Sequence, residues 1–183
     1  MTRRDIPNLI SVFRIVLVLP ILIMMLNRRF DLALLLFAIA GASDGLDGYL
    51  AKKYQWQSEL GGWLDPIADK ILLITSYLVL ASIGLLPIWL MVSVIVRDLV
   101  IVTGGIIYFT HIEQVSADPS LISKLNTLTQ ITLVLIIMFS EGVFVLPSWL
   151  IDYMIWAVLA TTVLSGVHYV WVWGRRAHNN TGS

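Results

Sequence analysis

Apolar residues run along this chain in long blocks separated by short polar stretches, without period-two alternation. A helix needs about 20 mostly apolar residues to cross a bilayer. Six blocks meet that length, at roughly 9–26, 30–50, 60–83, 85–109, 121–140 and 144–173. Six are too many for the core helices of a soluble fold, and membrane strands would alternate. The pattern predicts an all-α integral membrane protein with six transmembrane helices. The last block is longer than a crossing requires, so it is expected to tilt or to leave the membrane before its end. Residues 1–8 are polar enough to form a short N-terminal interfacial helix. The first block is followed by Arg28 and Arg29 rather than by a small-residue cleavage site, so it reads as a span and not as a secretory signal.

The one sizeable polar stretch between blocks, 110–120, reads as a loop. No internal repeat is evident. The expected organisation is a single membrane domain over 1–178 with a polar tail at 179–183. With both termini inside, the inner segments hold Arg3, Arg4, Lys52, Lys53, Arg175 and Arg176, against Arg28 and Arg29 outside. This excess favours cytoplasmic termini, and a bacterial inner membrane is the expected location.

Composition sharpens the exclusions. Of 183 residues, 58% are hydrophobic and 13% charged, about half the charge of an ordinary soluble domain. Twelve basic residues balance twelve acidic ones, so no broad basic face is available for nucleic acid. The absence of cysteine excludes disulfides, thiolate metal sites and a cysteine nucleophile. Trp149, Trp171 and Trp173 suit membrane-interface anchors. His111, His168 and His178 show no ligand spacing.

Four acids stand out against this background. Asp44 and Asp47 close the second block, and Asp65 and Asp69 lie inside the third. An ionised aspartate at membrane depth costs several kcal/mol unless compensated, and four together repel one another. Residues three or four apart on a helix differ by only about 60° or 40° in azimuth. Asp44, Asp47, Gly48 and Ala51 therefore share one face of the second helix, and Gly61, Asp65 and Asp69 one face of the third. The polar segment 52–59 turns the chain, making the two helices antiparallel neighbours whose acidic faces can meet. An all-oxygen cage suits Mg²⁺, Mn²⁺ or Ca²⁺, and Mg²⁺ commonly shares protein carboxylates with substrate phosphates. Gly48, Ala51 and Gly61 leave the helix faces bare, which accommodates a phosphorylated ligand or close helix packing. The competing reading has the aspartates lining a hydrated loop or pairing with Lys52, Lys53 and Lys70.

The stretch Asp44-Gly45-Leu46-Asp47-Gly48-Tyr49-Leu50-Ala51-Lys52, followed by Gly61, Asp65 and Asp69, resembles the signature of the CDP-alcohol phosphatidyltransferases, D-x2-D-G-x2-A-R-x8-G-x3-D-x3-D. Seven of its eight fixed positions match; Lys52 stands where the family has arginine. The resemblance implies six transmembrane helices behind an N-terminal interfacial helix, in a homodimer. It implies transfer of a phosphatidyl group from CDP-diacylglycerol to an alcohol, with release of CMP. It implies that Asp44, Asp47 and Asp65 hold two Mg²⁺ or Mn²⁺ ions, with Asp69 as general base and metal neighbour. Asn8, Gly48, Ala51, Lys52 and Gly61 would surround the nucleotide. Lysine at 52 keeps the charge but loses arginine's bidentate fork.

The signature is silent on the acceptor, so the other intramembrane cations bear on it. Arg14, Arg97 and Lys124 suit an acceptor carrying phosphate; snorkelling or pairing, for instance of Arg97 with Asp98, is the alternative. Pro7-Asn8 with Arg14 resembles the opening of the phosphatidylglycerophosphate and cardiolipin synthase branches. Arg97-Asp98 and Lys124-Leu125-Asn126-Thr127 look closer to mitochondrial-type cardiolipin synthases than to the Arg-Glu and Lys-x-Lys-Thr patterns of the other branch. Phosphatidylglycerol is thus the expected acceptor, with glycerol 3-phosphate second. Intramembrane prenyltransferases usually carry two separate acidic motifs and more spans. A cation transporter would spread its acids over several spans.

If Lys52 contacts the nucleotide, Lys52→Ala raises the KM for CDP-diacylglycerol roughly tenfold, the worth of one charge-assisted hydrogen bond. An unchanged donor KM removes Lys52 from the nucleotide site.

Overall fold

The computed structural model describes the backbone of residues 6–54, 59–111 and 121–180, and side chains within 10–45, 53–54, 67–104 and 121–171. The helices are α1 (Ile6–Leu26), α2 (Phe30–Tyr54), α3 (Glu59–Ser82), α4 (Ile88–His111), α5 (Leu121–Gly142) and α6 (Ser148–Asn180). No strand occurs among the described residues. Each apolar block has become one helix. Residues 6–8, expected in an interfacial segment, belong to α1. The first turn of a helix tolerates Pro7, because its missing N–H has no helical partner there. The rest of that segment, 1–5, lies outside the described residues. Among the described residues, Leu121–Gly142 and Ser148–Trp171 are long and apolar enough to cross a membrane, and Ile10–Leu26 is a shorter apolar helix.

The chain divides into two compact units. The first contains α1, α2, α3 and α5 from Val134 onward. Within it α1 packs against both α2 and α3. Ser11, Arg14, Leu17, Val18, Ile21 and Met25 form the buried face of α1, while Val12, Phe13, Val16 and Leu19 on the other side are exposed. The buried stripe of α2 is Phe30, Ala33, Phe37 and Ala40, spaced three and four apart as one helix face requires. Ala68, Leu72, Leu73, Ser76, Tyr77 and Leu80 do the same for α3. The exposed apolar sides suit lipid, where an aqueous surface would be polar.

The turns set the register. At the end of α1, Arg29 N donates to Met24 O at 2.8 Å and Arg28 N to Met25 O at 3.1 Å. This is the Schellman pattern, whose penultimate residue must be left-handed; here it is Arg28, with φ 58°. The α3 end repeats it with Gly84 at φ 80° and with Leu85 N donating to Leu80 O at 2.9 Å. Arg28 Nη2 donates to Ile83 O at 3.1 Å, tying the α1–α2 turn to the end of α3. Arg29 pairs with Asp31. Both residues that opposed the expected orientation therefore have local partners at this end.

That tie fixes heights along the unit. Arg14 to Leu26, Phe30 to Asp44 and Asp69 to Ser82 are each about 20 Å of helix at ~1.5 Å per residue. Three helices joined at one end therefore carry Arg14, Asp44 and Asp69 to a common level at the other.

A close approach completes the unit. A methyl group on Gly142 would fall 2.5 Å from Asp31 N and 2.6 Å from Phe30 C, both backbone atoms with no rotamer to yield. Gly142→Ala is expected to destabilise the protein by about 2 kcal/mol, within the usual range for overpacking. Gly41→Ala, which meets nothing within 4 Å, should leave the melting temperature unchanged or slightly raised. Thermal unfolding of both variants in nanodiscs checks the contrast.

Candidate active site

Asp44 continues the buried stripe of α2 one turn beyond Ala40, and Asp69 follows the buried Ala68 on α3. Between them comes Arg14 from α1, with only 1% of its side chain exposed. Arg14 Nη2 donates to Asp44 Oδ1 at 2.7 Å, and Nη1 donates to Asp69 Oδ1 at 2.5 Å. One guanidinium thus holds two carboxylates from two different helices. Its planar fork is suited to this double task, since each terminal nitrogen takes its own acceptor.

The two carboxylates are not enclosed with it: their side chains are 44% and 49% exposed. Two negative charges against one positive leave the trio with a net negative charge. Carboxylate oxygens, surplus negative charge and an accessible side together fit a hard divalent cation. Among the described residues no group of three or more Asp, Glu, His or Cys gathers. The remaining motif side chains, those of Asp47, Gly48, Ala51, Lys52, Gly61 and Asp65, lie outside the described residues, as does that of Asn8. Their backbones are helical, which puts Asp47 one turn from Asp44 and Asp65 one turn from Asp69.

Arg14 was expected to face an acceptor; its described partners are the two aspartates. The other expected acceptor cations belong to the second unit, which contains α4, α5 up to Leu133, and α6. Arg97 is buried there, and its Nη1 donates to Asp98 Oδ1 at 2.7 Å, the pairing named above as the alternative. Its Nη2 donates to Ser123 Oγ at 2.7 Å and also to Ser165 Oγ. Gly166 lies against the Arg97 stem, so the side chain is packed along its length. Lys124 is exposed at the start of α5.

One turn after Ser123 on α5, Asn126 Oδ1 accepts hydrogen bonds from Thr161 Oγ1 at 3.0 Å and Thr162 Oγ1 at 2.9 Å. Sequence reasoning passed over Ser123, Ser165, Thr161 and Thr162. A signal for them exists: Ser123, Asn126 and Gln130 recur at three- and four-residue intervals in an otherwise apolar helix, the spacing of a helix–helix contact face.

The profile of the CDP-alcohol phosphatidyltransferases matches residues 4–165, which covers Arg14, Asp44, Asp69, Arg97 and Lys124. The chain belongs to the CDP-alcohol phosphatidyltransferase family. Among its relatives, a Drosophila melanogaster protein named probable cardiolipin synthase (CMP-forming) is 35% identical over 69% of this chain and 44% of its own length. The Rattus norvegicus cardiolipin synthase (CMP-forming) is 30% identical over 93% of this chain and 62% of its own length. The CDP-diacylglycerol–glycerol-3-phosphate 3-phosphatidyltransferase of Bacillus subtilis (strain 168) is 29% identical over 90% of this chain and 93% of its own length. This chain thus spans less than two thirds of the two animal proteins and almost the whole of the bacterial one.

For this family member the two arginines buried among the described residues, Arg14 and Arg97, differ in charge balance. The Arg97–Asp98 pair is neutral and both side chains are about 6% exposed; the Arg14 trio is open and negative. Removing one partner of a buried pair strands the other. Asp98→Ala is therefore expected to cost about 3 kcal/mol of stability. The double replacement Arg97→Met with Asp98→Leu should recover most of it, because a well-packed apolar pair avoids desolvating charge. Melting temperatures of the single and double variants test this.

Proposed function

We propose that this protein transfers a phosphatidyl group from CDP-diacylglycerol to phosphatidylglycerol, forming cardiolipin and releasing CMP. The observation that carries the reading is the meeting of Asp44 and Asp69, from opposite ends of the family signature, on one buried guanidinium with both carboxylates accessible. In the proposed reaction the acceptor hydroxyl oxygen attacks the phosphorus that carries the diacylglycerol. The bond from that phosphorus to the CMP oxygen breaks, and Asp69 takes the hydroxyl proton. Asp44, Asp47, Asp65 and Asp69 would hold two Mg²⁺ or Mn²⁺ ions. Bound there, such ions supply charge neutralisation for the diphosphate and for departing CMP. Asn8, Gly48, Ala51, Lys52 and Gly61 would bind the nucleotide. Lys124 is the exposed acceptor-side cation of this reading; Arg97, also expected there, is enclosed by Asp98, Ser123 and Ser165.

A lipid donor and a lipid product require a membrane site, and we read all six helices as transmembrane, in a homodimer. Both termini are assigned to the cytoplasm of a bacterial inner-membrane protein, from the excess of inner lysine and arginine. The cardiolipin synthase names of the animal relatives support phosphatidylglycerol as acceptor. The match over 90% of this chain and 93% of the Bacillus subtilis enzyme favours glycerol 3-phosphate as the second reading.

The test is purified protein with CDP-diacylglycerol, Mg²⁺ or Mn²⁺ and a panel of acceptors, with CMP and lipid products resolved by mass. Cardiolipin formed only with phosphatidylglycerol is the expected result. Phosphatidylglycerophosphate formed from glycerol 3-phosphate moves the assignment to the second reading. No CMP release with any acceptor ends both. Asp69→Asn should fold and lower turnover by about 10²–10⁴-fold, the usual weight of a general base; retained turnover removes Asp69 from that role.

A further inference from the structure

A cation that meets an incoming phosphate needs an open face, and Arg14 is 1% exposed. The openness belongs to its partners, Asp44 and Asp69, at 44% and 49%. The arginine therefore lies behind the two carboxylates, on the packed side of α1, and a ligand reaching the aspartates from outside does not have to cross it. We infer that Arg14 is a positioning residue for the divalent-cation site. From α1 it sets the spacing of Asp44 on α2 and Asp69 on α3, and it stays in place when an ion binds. This rests on reading those aspartates as metal ligands.

The physical case has three parts. Two carboxylates on neighbouring helices repel and splay apart unless a cation lies between or behind them. Arg14 supplies that charge from within the protein, so the pair is assembled before an ion arrives. Its two terminal nitrogens belong to one rigid plane, so the oxygens they hold keep a fixed relation; a lysine ammonium carries the same charge on a flexible stem and imposes none. Against the two described carboxylates its single positive charge cancels only half of their negative charge, which leaves them attractive to a dication. Groups that orient metal ligands in this way commonly govern metal affinity about 10- to 100-fold without touching the ion.

The test uses the full chain in nanodiscs and reads Mn²⁺ binding without substrate, by the electron paramagnetic resonance signal of free Mn²⁺. In Arg14→Lys and Arg14→Gln, affinity for Mn²⁺ should fall about tenfold or more, although Arg14→Gln makes the site more negative. In turnover, kcat should fall while the acceptor KM stays within about twofold. Tighter Mn²⁺ binding in Arg14→Gln overturns the inference, because the guanidinium would then occupy the ion's own place. So does unchanged Mn²⁺ affinity, whether accompanied by a raised acceptor KM, which marks an acceptor contact, or by lower thermal stability alone, which marks a packing role. Wild-type protein that binds no Mn²⁺ overturns the metal reading and this inference with it. Should neither variant fold, side-chain NMR of ¹⁵N-arginine wild-type protein decides. Hydrogen-bonded Arg14 N–H signals retained at saturating Mg²⁺ support the inference, and their loss overturns it.

Discussion

A guanidinium cannot be buried among apolar helices without anions, and two carboxylates cannot sit side by side on such helices without a cation. Arg14, Asp44 and Asp69 answer both constraints at once. Each comes from a different helix, so the electrostatic requirement is also a packing requirement: α1, α2 and α3 must stand at matching heights. The turn at Arg28 and its hydrogen bond to Ile83 O provide that match from the far end of the unit. A one-residue change of helix length between turn and site would rotate a carboxylate by about 100° away from the arginine.

The second unit solves the problem of buried polarity differently. Arg97 is neutralised by its own sequence neighbour, and its Nη2 is held by hydroxyls from α5 and α6. Asn126 is held by two threonines of α6. Inside a helix assembly each such bond replaces water that is not available, and it fixes which faces meet. Neutral, enclosed polarity of this kind holds helices together. The charge imbalance around Arg14, with its accessible carboxylates, is instead suited to receiving something from outside.

Family membership and the Arg14 trio bear on different questions. The matched profile establishes the lineage of residues 4–165, while the trio shows how two of the signature acids are held within this chain. The relatives carry names for two different syntheses, so membership of the family does not by itself choose the alcohol. In the proposed reaction the choice of acceptor falls to groups outside the signature, and Lys124 is the exposed cation proposed for it.

Helix number and approximate ends followed from hydropathy alone, because an apolar block of spanning length has few alternatives to a helix. The position of Asp44 and Asp69 on the inward faces of their helices was also legible, since helical periodicity assigns faces without knowledge of neighbours. The partner of Arg14 was not. Arg14 and Asp69 are 55 positions apart, and periodicity within one helix carries no information about which helix will face it. The same limit hid Ser123 and Ser165 as partners of Arg97, whereas Asp98, adjacent in the chain, was available to inspection. Local pattern determines which side of a helix is buried; only the packing of helices decides which buried charges meet.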